Sequence, residues 1–287
     1  MNILVANNHL RNYGGSETFT FTLVKELRKN HNVDVFTLLA GDYLESVEPK
    51  DEYDLLLINH NSCLDALKDV KGFKIFTSHG IFPPMEQPRP GADAYVAISE
   101  EVQQHMKKQG YDAHLIRNGI DCDRFSPKTK INKEIKKVLS MCQGYKAAVL
   151  IEEACEELGI EFEEIERDVW DVENYINNAD LVVTLGRGAY ESMACGRAVL
   201  LYDDRVYIPN GEPYGDGIVE DWEEIAKHNF SGRLLKNYYT VEQLKEEILK
   251  YNPSMGNINR GVAEEHFNIK KQVNKYLQIY AVQRHNQ

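Results

Sequence analysis

Short apolar runs alternate with amphipathic segments along most of the chain. The first run, Ile3–Ala6, predicts a buried strand, and a helical pattern follows from Ser16 to about Lys29. Ser16 is the expected N-cap of that helix. The same alternation continues through both halves of the chain, and it is typical of parallel sheets connected by crossover helices. The pattern therefore predicts an α/β fold of the doubly wound class.

The alternation also predicts where the individual elements lie. In the first half, strands are expected at residues 3–6, 33–37, 55–58, 74–77, 95–98 and 114–116, and helices at 16–29, 62–68 and 100–109. In the second half, strands are expected at 138–141, 160–165, 181–184 and 198–202, and helices at 146–158, 172–177, from Glu191, at 241–251 and at 269–282. In the helix at 146–158, Val149, Leu150 and Ala154 are expected to face inward.

A segment of different composition joins the two halves. Residues 124–137 carry Pro127 and many charged side chains but few apolar ones. Such a composition is typical of a linker between domains. We therefore predict two domains that join near residue 127.

Composition narrows the class of protein. The chain has 287 residues, and 33 Lys and Arg against 45 Asp and Glu give a net charge of −12. This balance argues against broad nucleic-acid binding, which relies on Lys and Arg at the phosphates. No apolar run approaches the ~18 residues of a membrane span, and no signal peptide is evident, so we expect a cytoplasmic protein. The five cysteines form no C-x-x-C pair, which argues against a disulfide scaffold or a zinc cluster.

Candidate chemistry lies in the loops after the strands, because ligands of open α/β sheets gather beyond the carboxyl ends of the strands. Gly14 and Gly15 end the loop after the first strand and directly precede a helix. They would let the backbone approach a ligand while the helix start offers N–H groups to an anion, although a tight turn is the alternative. Lys146 opens a helix after the strand at 138–141, where a cation opposes the helix dipole. An ordinary surface lysine is the alternative there.

Polar residues follow two more strands of the first half. His79 ends the strand at 74–77 and is followed by a glycine, so it can place an imidazole at the sheet edge as a donor, an acceptor or an acid–base group. Asn59 and His60 follow the strand at 55–58 and form a second polar exit. A surface or satisfied polar role is the alternative for both histidines.

In the second half, the strand at 181–184 leads into a glycine-rich helix start that includes Gly186, Arg187 and Glu191. A glutamate there is suited to accept hydrogen bonds from a vicinal diol such as a ribose, and Arg187 to hold phosphate. A favourable interaction with the helix dipole is the alternative for Glu191.

The chain also contains one D-x-D string, formed by Asp121 and Asp123. Such a string can bind a divalent metal between a protein and a diphosphate, but this one lies in a turn that leads into the linker. The other His, Cys and carboxylate spacings build no metal cage. We predict no metal site.

In their order along the chain, several motifs resemble those of the nucleotide-sugar glycosyltransferases of the GT-B fold, especially the retaining group often called family 4. They are Gly14-Gly15, Ser78-His79-Gly80, Ala97-Ile98-Ser99, Asn118-Gly119-Ile120-Asp121 with Phe125 and Pro127, and Glu191-Ser192-Met193-Ala194-Cys195-Gly196. The resemblance implies two facing Rossmann-like domains, at residues 1–127 and 128–263, with parallel sheets and a cleft between them. The second domain would hold the nucleotide and the first the acceptor. The resemblance also implies that residues 264–287 form a helix that packs back on the first domain.

The resemblance implies roles for individual residues. Glu191 matches the glutamate that binds the ribose hydroxyls, and His79 matches the histidine that contacts the sugar; these two are the predicted catalytic residues. Lys146 matches the lysine that neutralises the donor diphosphate, and Gly14 and Gly15 match the glycine loop beside it. The remaining predicted donor-binding residues are Gly186, Arg187, Gly188 and Ser192, and the predicted acceptor-side residues are Asn59, His60, Ser99 and Asn118.

Two positions depart from the family pattern. Val183 stands where the family usually has an earlier glutamate, eight positions before Glu191. The basic residue that commonly precedes the lysine is absent from Met141–Tyr145, and we hypothesise that Arg187 partly replaces it. Without the first glutamate, the identity of the sugar stays open and retention follows from kinship alone.

Together these features predict an enzyme that transfers a hexose from a nucleotide diphosphate sugar, with a UDP-sugar preferred, to a hydroxyl acceptor, with retention and without a metal or other cofactor. The alternatives are a catalytically weak sugar-nucleotide-binding module and a nucleotide-sugar epimerase of the same fold. The acceptor stays open among glycans, lipid-linked and other hydroxyl compounds, with nucleic acid least favoured. No transmembrane segment is expected, and a modest basic patch leaves peripheral membrane contact open.

Overall fold

The computed structural model describes residues 1–11, 14–39, 43–165, 169–205 and 211–285. The chain divides into two compact units. Unit 1 contains Met1–Gly119 together with the residues from Ile269 onward, and unit 2 contains Ile120–Asn268. Among the described residues, no helix is both long and apolar enough to cross a membrane.

Unit 1 is built on a six-stranded sheet with the order β2-β1-β3-β4-β5-β6. Its strands are β1 (Asn2–Asn7), β2 (Asn32–Thr37), β3 (Glu52–Ile58), β4 (Lys71–Ser78), β5 (Ala94–Ala97) and β6 (His114–Leu115). Every strand pair is parallel, so the carboxyl ends of all six strands lie at the same edge. The loops after β1, β3 and β4 therefore meet there, as the alternation of elements predicts.

Helices cover both faces of this sheet. They are α1 (Gly15–Leu27), α2 (Asn61–Ala66), α3 (Glu100–Lys108) and α10 (Ile269–His285), and a 3-10 turn spans Pro84–Glu86. Alternate residues of β1 point to opposite faces: Ile3 packs with α1 and α10, whereas Leu4 packs with α2 and α3. The N-cap of α1 is Gly14 and not Ser16, which lies inside the first turn; the prediction of Ser16 as the cap is wrong.

The helix α10 completes the core of unit 1. Its residues Ile269, Val273 and Tyr276 lie in the same apolar cluster as β1 and α1. The hydroxyl of Tyr276 lies 3.1 Å from the Oγ1 atom of Thr77 in β4, where both side chains are buried. Although α10 is distant in sequence from the rest of unit 1, it is therefore part of the folded core of that unit.

Unit 2 is built on a five-stranded sheet with the order β11-β10-β9-β7-β8. Its strands are β7 (Lys137–Ser140), β8 (Glu161–Glu164), β9 (Leu181–Thr184), β10 (Ala198–Asp203) and β11 (Tyr214–Ile218). β7, β8, β9 and β10 pair in parallel, whereas β11 is antiparallel to β10. The prediction of parallel sheets is confirmed apart from β11, which was not predicted as a strand because its sequence YGDGI lacks the apolar run of the other strands.

The helices of unit 2 again cover both faces of the sheet. They are α4 (Tyr145–Leu158), α5 (Val172–Asn178), α6 (Arg187–Ala194), α7 (Trp222–Ala226), α8 (Val241–Leu249) and α9 (Ser254–Val262), with a π-helical turn at Ala263–Phe267. In α4, Ala154 is buried as predicted, but Val149 is 38% exposed. The helix predicted to open at Glu191 begins four residues earlier, at Arg187.

The unit boundaries differ from those expected from the sequence. The sequence places them after residues 127 and 263, whereas the compact units change at Gly119/Ile120 and Asn268/Ile269. The reason is packing: Ile120, Phe125 and Phe267 belong to the core of unit 2, together with α6. A segment rich in charge can still contribute buried anchors to the domain that follows it.

Candidate functional site

The exit from β9 in unit 2 carries the main cluster of predicted donor residues. Gly186 adopts a φ of 63° and a ψ of −127°, and its N–H donates a 2.7 Å hydrogen bond to the carbonyl oxygen of Phe230. This conformation favours glycine, because a side chain is disfavoured in the left-handed region. The turn lets α6 start at Arg187, so Glu191 lies one turn into the helix and not at its first residue.

Arg187 and Glu191 form a buried ion pair across that turn. The Nε atom of Arg187 lies 2.9 Å from Oε1 of Glu191, and the two side chains are only 8% and 9% exposed. Burial raises the pKa of the Glu191 carboxyl, and the positive charges of Arg187 and Arg124 oppose that shift. The ion pair therefore fixes the orientation of both side chains, and both charges lie where little water reaches them.

Two other predicted donor-binding residues have structural roles in α6. A β-carbon on Gly188 would lie 2.3 Å from Oγ1 of Thr184, so a glycine is needed for the close approach of α6 to β9. The hydroxyl of Ser192 donates a 2.7 Å hydrogen bond to the carbonyl oxygen of Gly188 within the helix. Both positions shape the helix that presents Glu191.

Val183 occupies the core of unit 2. The side chain is fully buried within β9 and packs with the apolar residues of α4 and α8. The strand continues through this position, so the residue eight places before Glu191 does not belong to a loop. A carboxylate at this buried apolar position would have no polar environment.

An arginine that no sequence motif marks, Arg124, acts electrostatically on the buried pair. Arg124 donates a 2.8 Å hydrogen bond to Glu173 and stacks over the ring of Trp170 at 4.3 Å. Its charge acts on both Arg187 and Glu191. Arg124 lies in the segment that composition marks as a linker, and no motif distinguishes it there.

The N–H groups at the start of α4 bind carboxylates of the protein itself. The carboxylate of Asp204 lies 2.9 Å from the N–H of Ala147, and that of Asp203 lies 3.0 Å from the N–H groups of Gln143 and Gly144. A β-carbon on Gly144 would meet Asp204 at 1.9 Å, so only glycine fits against that carboxylate. The protein's own carboxylates thus satisfy donors at this helix start.

Lys146, the predicted diphosphate-binding lysine, lies in the first turn of α4. Its Nζ atom is 2.7 Å from Oε1 of Glu212, and the two side chains are 53% and 57% exposed. Such an exposed pair is weak. Lys146 can therefore exchange this partner for another anion at little cost.

In unit 1, the structure brings together two of the predicted residues. His79 follows β4 and Asn59 follows β3, and the Nε2 atom of His79 lies 3.0 Å from Oδ1 of Asn59. The ring of Phe19 packs edge-on against the imidazole, with 4.9 Å between ring centroids. A buried amide and an aromatic ring thus fix the orientation of His79.

The other predicted acceptor-side residues are buried as well. The Nδ1 atom of His60 accepts a 3.1 Å hydrogen bond from the N–H of Asn8, and burial lowers the pKa of His60 to about 4. Ser99 is the N-cap of α3, where its hydroxyl oxygen accepts from the N–H of Val102. Asn118 is buried after β6. His60 and Ser99 therefore have well-defined structural partners.

The two glycines after β1 differ from each other. A β-carbon on Gly14 would lie 2.5 Å from a carboxylate oxygen of Glu17, whereas nothing lies within 4 Å of one on Gly15. The carboxylate of Glu17 therefore occupies the space beside Gly14 that a β-carbon would need. Glu17 also contributes to the environment of Glu86: burial first, and then the charge of Glu17, raises the pKa of Glu86 to about 7.

The described residues contain no cluster of His, Cys, Asp and Glu that could hold a metal ion. The five cysteines are buried and unpaired. Burial raises the pKa of the thiols of Cys63, Cys155 and Cys195 to about 12. Thiols with such values are poor nucleophiles at neutral pH.

Comparisons with known proteins identify the fold of the chain. No protein-family model matches the chain, and no curated protein matches its sequence. Solved structures do match: Anabaena Alr3699/HepE in complex with UDP and glucose has a TM-score of 0.64 at 15% identity, over 98% of this chain and 100% of that one. An α-glucosyltransferase in complex with UDP and a mismatched 13-mer DNA has a TM-score of 0.59 at 10% identity, over 98% and 100%.

A third match is a candidate UDP-N-acetylglucosamine 2-epimerase from Listeria monocytogenes, with a TM-score of 0.55 at 12% identity, over 96% of this chain and 94% of that one. At such identities the likeness concerns the backbone architecture. The two sheets of mostly parallel strands in this chain match the glycosyltransferase structures of this set. The chain therefore has the α/β GT-B fold of the nucleotide-sugar glycosyltransferases.

Proposed function

We propose that the protein is a glycosyltransferase that moves a hexose from a UDP-sugar to a hydroxyl acceptor. The observation that carries this proposal is the buried Arg187–Glu191 pair at the exit of β9, in a chain with the GT-B fold. Neighbours of that fold bind UDP in their crystals. A fold alone does not fix an activity, so the proposal depends on the chemistry of the pair.

Glu191 is the proposed ligand of the donor ribose. Arg187 binds its Oε1 atom, which orients the carboxylate before any ligand arrives. Hydrogen bonds from a diol to a carboxylate are charge-assisted, and they are stronger where water is excluded. A buried carboxylate on a rigid helix is therefore well suited to a vicinal diol.

The proposed diphosphate site is the N-terminus of α6 with its glycine turn. A helix N-terminus favours an anion because its first N–H groups and the helix dipole point toward it. The turn at Gly186 carries no side chain that would block the approach. Arg187 and Lys146 supply positive charge for the leaving diphosphate, which stabilises the negative charge that develops during transfer. In this proposal, transfer needs no metal.

His79 is the proposed contact of the transferred sugar, and the proposed acceptor is a hydroxyl of a glycan, a lipid-linked compound or another small molecule. Retention of configuration belongs to the same proposal. We also propose a cytoplasmic site of action, because buried unpaired cysteines are typical of reducing compartments.

A second candidate function is nucleotide-sugar epimerisation, which the match to the Listeria monocytogenes protein favours. The two reactions give different products. An epimerase converts the donor without an acceptor, whereas a transferase produces the nucleoside diphosphate and a glycoside. Incubation with a radiolabelled UDP-sugar, with and without an acceptor mixture, separates them.

The first experiment is a thermal-shift panel of UDP, GDP and ADP with their sugars. A ligand at 100 times its Kd stabilises the folded state by about 2.7 kcal/mol, so a true donor raises Tm clearly. We expect UDP compounds to do so in the wild type and not in Glu191→Leu. Glu264→Leu is the control, because Glu264 also forms an (i, i+4) pair with an arginine, Arg260, but its own side chain is 53% exposed. If no nucleotide raises Tm in the wild type, the donor site is wrong.

A further inference from the structure

A groove in unit 1 lies between the strand β6 and the helix α10. Its volume is about 330 Å³, and it is lined by His114–Ile116 of β6 and by Lys275, Gln278, Ile279, Val282 and Gln283 of α10. In the part of the chain that the structure describes, β6 is the last strand of its sheet and pairs on one side only, with β5. An edge strand beside a helix is an arrangement that can bind an extended peptide as an added strand.

The pairing with β5 determines which backbone groups of β6 point outward. His114 is paired with Val96 and Leu115 with Ala97, and the N–H of Ile116 donates a 3.0 Å hydrogen bond to the carbonyl oxygen of Ala97. Along a strand, successive residues direct their N–H and C=O groups to opposite sides, so those of Leu115 point away from β5. Leu115 therefore presents one donor and one acceptor at the outer side of the sheet.

These two backbone groups of Leu115 bond to no other described residue. The carbonyl oxygen of Ala113, two residues earlier, differs in this respect, because it accepts a 2.7 Å hydrogen bond from Nε2 of Gln103. The donor and the acceptor of Leu115, which lines the groove, are thus available to the main chain of a partner.

The α10 wall of the groove is apolar at Ile279 and Val282. Ile279 packs against the core of unit 1, whereas Val282 is 59% exposed. Side chains of an added strand would alternate between the two faces of the sheet, so every second one would lie over this wall. Apolar side chains at alternate positions of a peptide would cover Val282 and gain from that burial.

The same wall carries positive charge at Lys275. Its Nζ atom lies 3.1 Å from the amide oxygen of Gln272, which is a neutral group. Burial, and then the charges of Arg117 and Lys271, lowers the pKa of Lys275. A carboxylate placed in the groove would offset the repulsion among these three cations. The groove is therefore complementary to an acidic ligand and not to a basic one.

We propose that the β6–α10 groove binds an extended, acidic peptide segment of a partner protein, which adds to the sheet at Leu115. The main chain of the segment pairs with the N–H and C=O of Leu115. Its apolar side chains pack on Ile279 and Val282, and one of its carboxylates pairs with Lys275. This surface belongs to unit 1 alone and does not depend on the proposed transfer of a sugar.

Panning a phage library of random octapeptides on the full-length protein tests the ligand class. We expect the selected peptides to carry apolar residues at alternate positions and at least one Asp or Glu. Fluorescence anisotropy then gives the Kd of the most enriched peptide. Lys275→Met and Val282→Asp should each weaken its binding about tenfold. Asn274→Asp is the matched control, because Asn274 is exposed on the same helix outside the groove, and its Kd should stay within about twofold.

Leu115→Pro tests the main-chain pairing. Because the N–H of Leu115 points away from β5, proline removes this donor without breaking the existing ladder. We expect Tm near that of the wild type and binding about fivefold weaker. Leu115→Ala, which keeps the N–H, is the control. If Leu115→Pro folds poorly, methylation of each amide nitrogen of the peptide in turn provides the same test on the wild type. Strand addition predicts weaker binding only where the methylated nitrogen donates to the edge.

Several outcomes would overturn the proposal. These are a library without enrichment, selected peptides that are basic, wild-type affinity in a folded Leu115→Pro variant, and N-methylation whose effect does not depend on position. Two further measurements identify a different occupant. Binding to phosphatidylglycerol vesicles that is lost in Lys275→Met, without peptide enrichment, would assign the groove to an anionic lipid surface. A dimer in light scattering that Val282→Asp dissociates would assign it to a second copy of this chain.

Discussion

Asp204 lies against the first turn of α4, where its Oδ1 atom accepts a 2.9 Å hydrogen bond from the N–H of Ala147. Its other oxygen lies 3.3 Å from the N–H of Lys146. Carboxylates near helix N-termini are favourable because they satisfy N–H groups and interact well with the dipole. This helix start therefore already holds a negative charge close to the proposed diphosphate lysine.

That charge should weaken donor binding. We expect Asp204→Asn to bind UDP about fivefold more tightly. The substitution removes a negative charge close to the negatively charged diphosphate, which is worth roughly 1 kcal/mol at a partly exposed site. Isothermal titration calorimetry measures the change. Asp221→Asn is the control, because Asp221 caps α7 in a similar way. Equal Kd values for the wild type and Asp204→Asn would show that the diphosphate binds away from α4.

The Arg187–Glu191 pair should matter for both stability and binding. We expect Arg187→Met to lower the free energy of unfolding by about 3–5 kcal/mol, because it leaves a buried carboxylate without a counterion. Arg187→Met combined with Glu191→Leu should regain much of that loss but still fail to bind UDP. Arg89→Met, which removes an exposed pair with Asp65, should cost under about 1 kcal/mol.

Urea unfolding measures the stability of these three variants and the wild type, and isothermal titration calorimetry measures their affinity for UDP. If the double variant bound UDP with wild-type affinity, Glu191 would not be part of the donor site, whatever its effect on stability.

Lys146 should contribute to binding and little to stability. We expect Lys146→Met to weaken UDP binding about tenfold, which corresponds to 1.4 kcal/mol, while Tm stays near that of the wild type because the pair with Glu212 is exposed. Lys245→Met, which removes another lysine–glutamate pair on the α4 surface, serves as the control. Equal affinity in both variants would contradict the assignment.

Glu86 should make stability depend on pH. Its pKa in the folded protein is about 7, above the ordinary 4.5, so the folded state binds this proton more tightly than the unfolded chain. This contribution is therefore favourable at pH 5 and is lost as the pH rises to 8, by roughly 3 kcal/mol at most.

Glu86→Gln removes the titrating group, so its free energy of unfolding should rise relative to the wild type between pH 5 and pH 8. Urea titrations at the two values measure that difference. Glu48→Gln, at an exposed position, should show none. A wild type and Glu86→Gln that respond identically to pH would contradict the raised pKa.

Periodicity predicted the elements that bury a continuous apolar face. β9 was placed at its observed bounds, and α10 was predicted from Ile269. The hydrophobic pattern did not predict β11, because two of its five residues are glycine and one is aspartate. Its burial depends on neighbours that are distant in sequence. The helix α9 (SMGNINRGV) was not predicted for a similar reason, because it contains two glycines, which have a low helix propensity.

The candidate site was predictable only in part. Residue types at strand exits pointed to His79, Asn59 and Glu191, but not to the partners that fix them. The capture of the α4 N-terminus by Asp204 depends on a contact between residues nearly 60 positions apart. No local pattern encodes such a contact, because both residues look like ordinary loop positions in sequence.

The place of α10 in unit 1 has a consequence for synthesis on the ribosome. The apolar cluster of unit 1 includes Val273 and Tyr276, which are translated only after all of Ile120–Asn268. At roughly 5–20 residues per second, that delay is on the order of ten seconds. During this time the nascent first sheet exposes the apolar surface that α10 later covers.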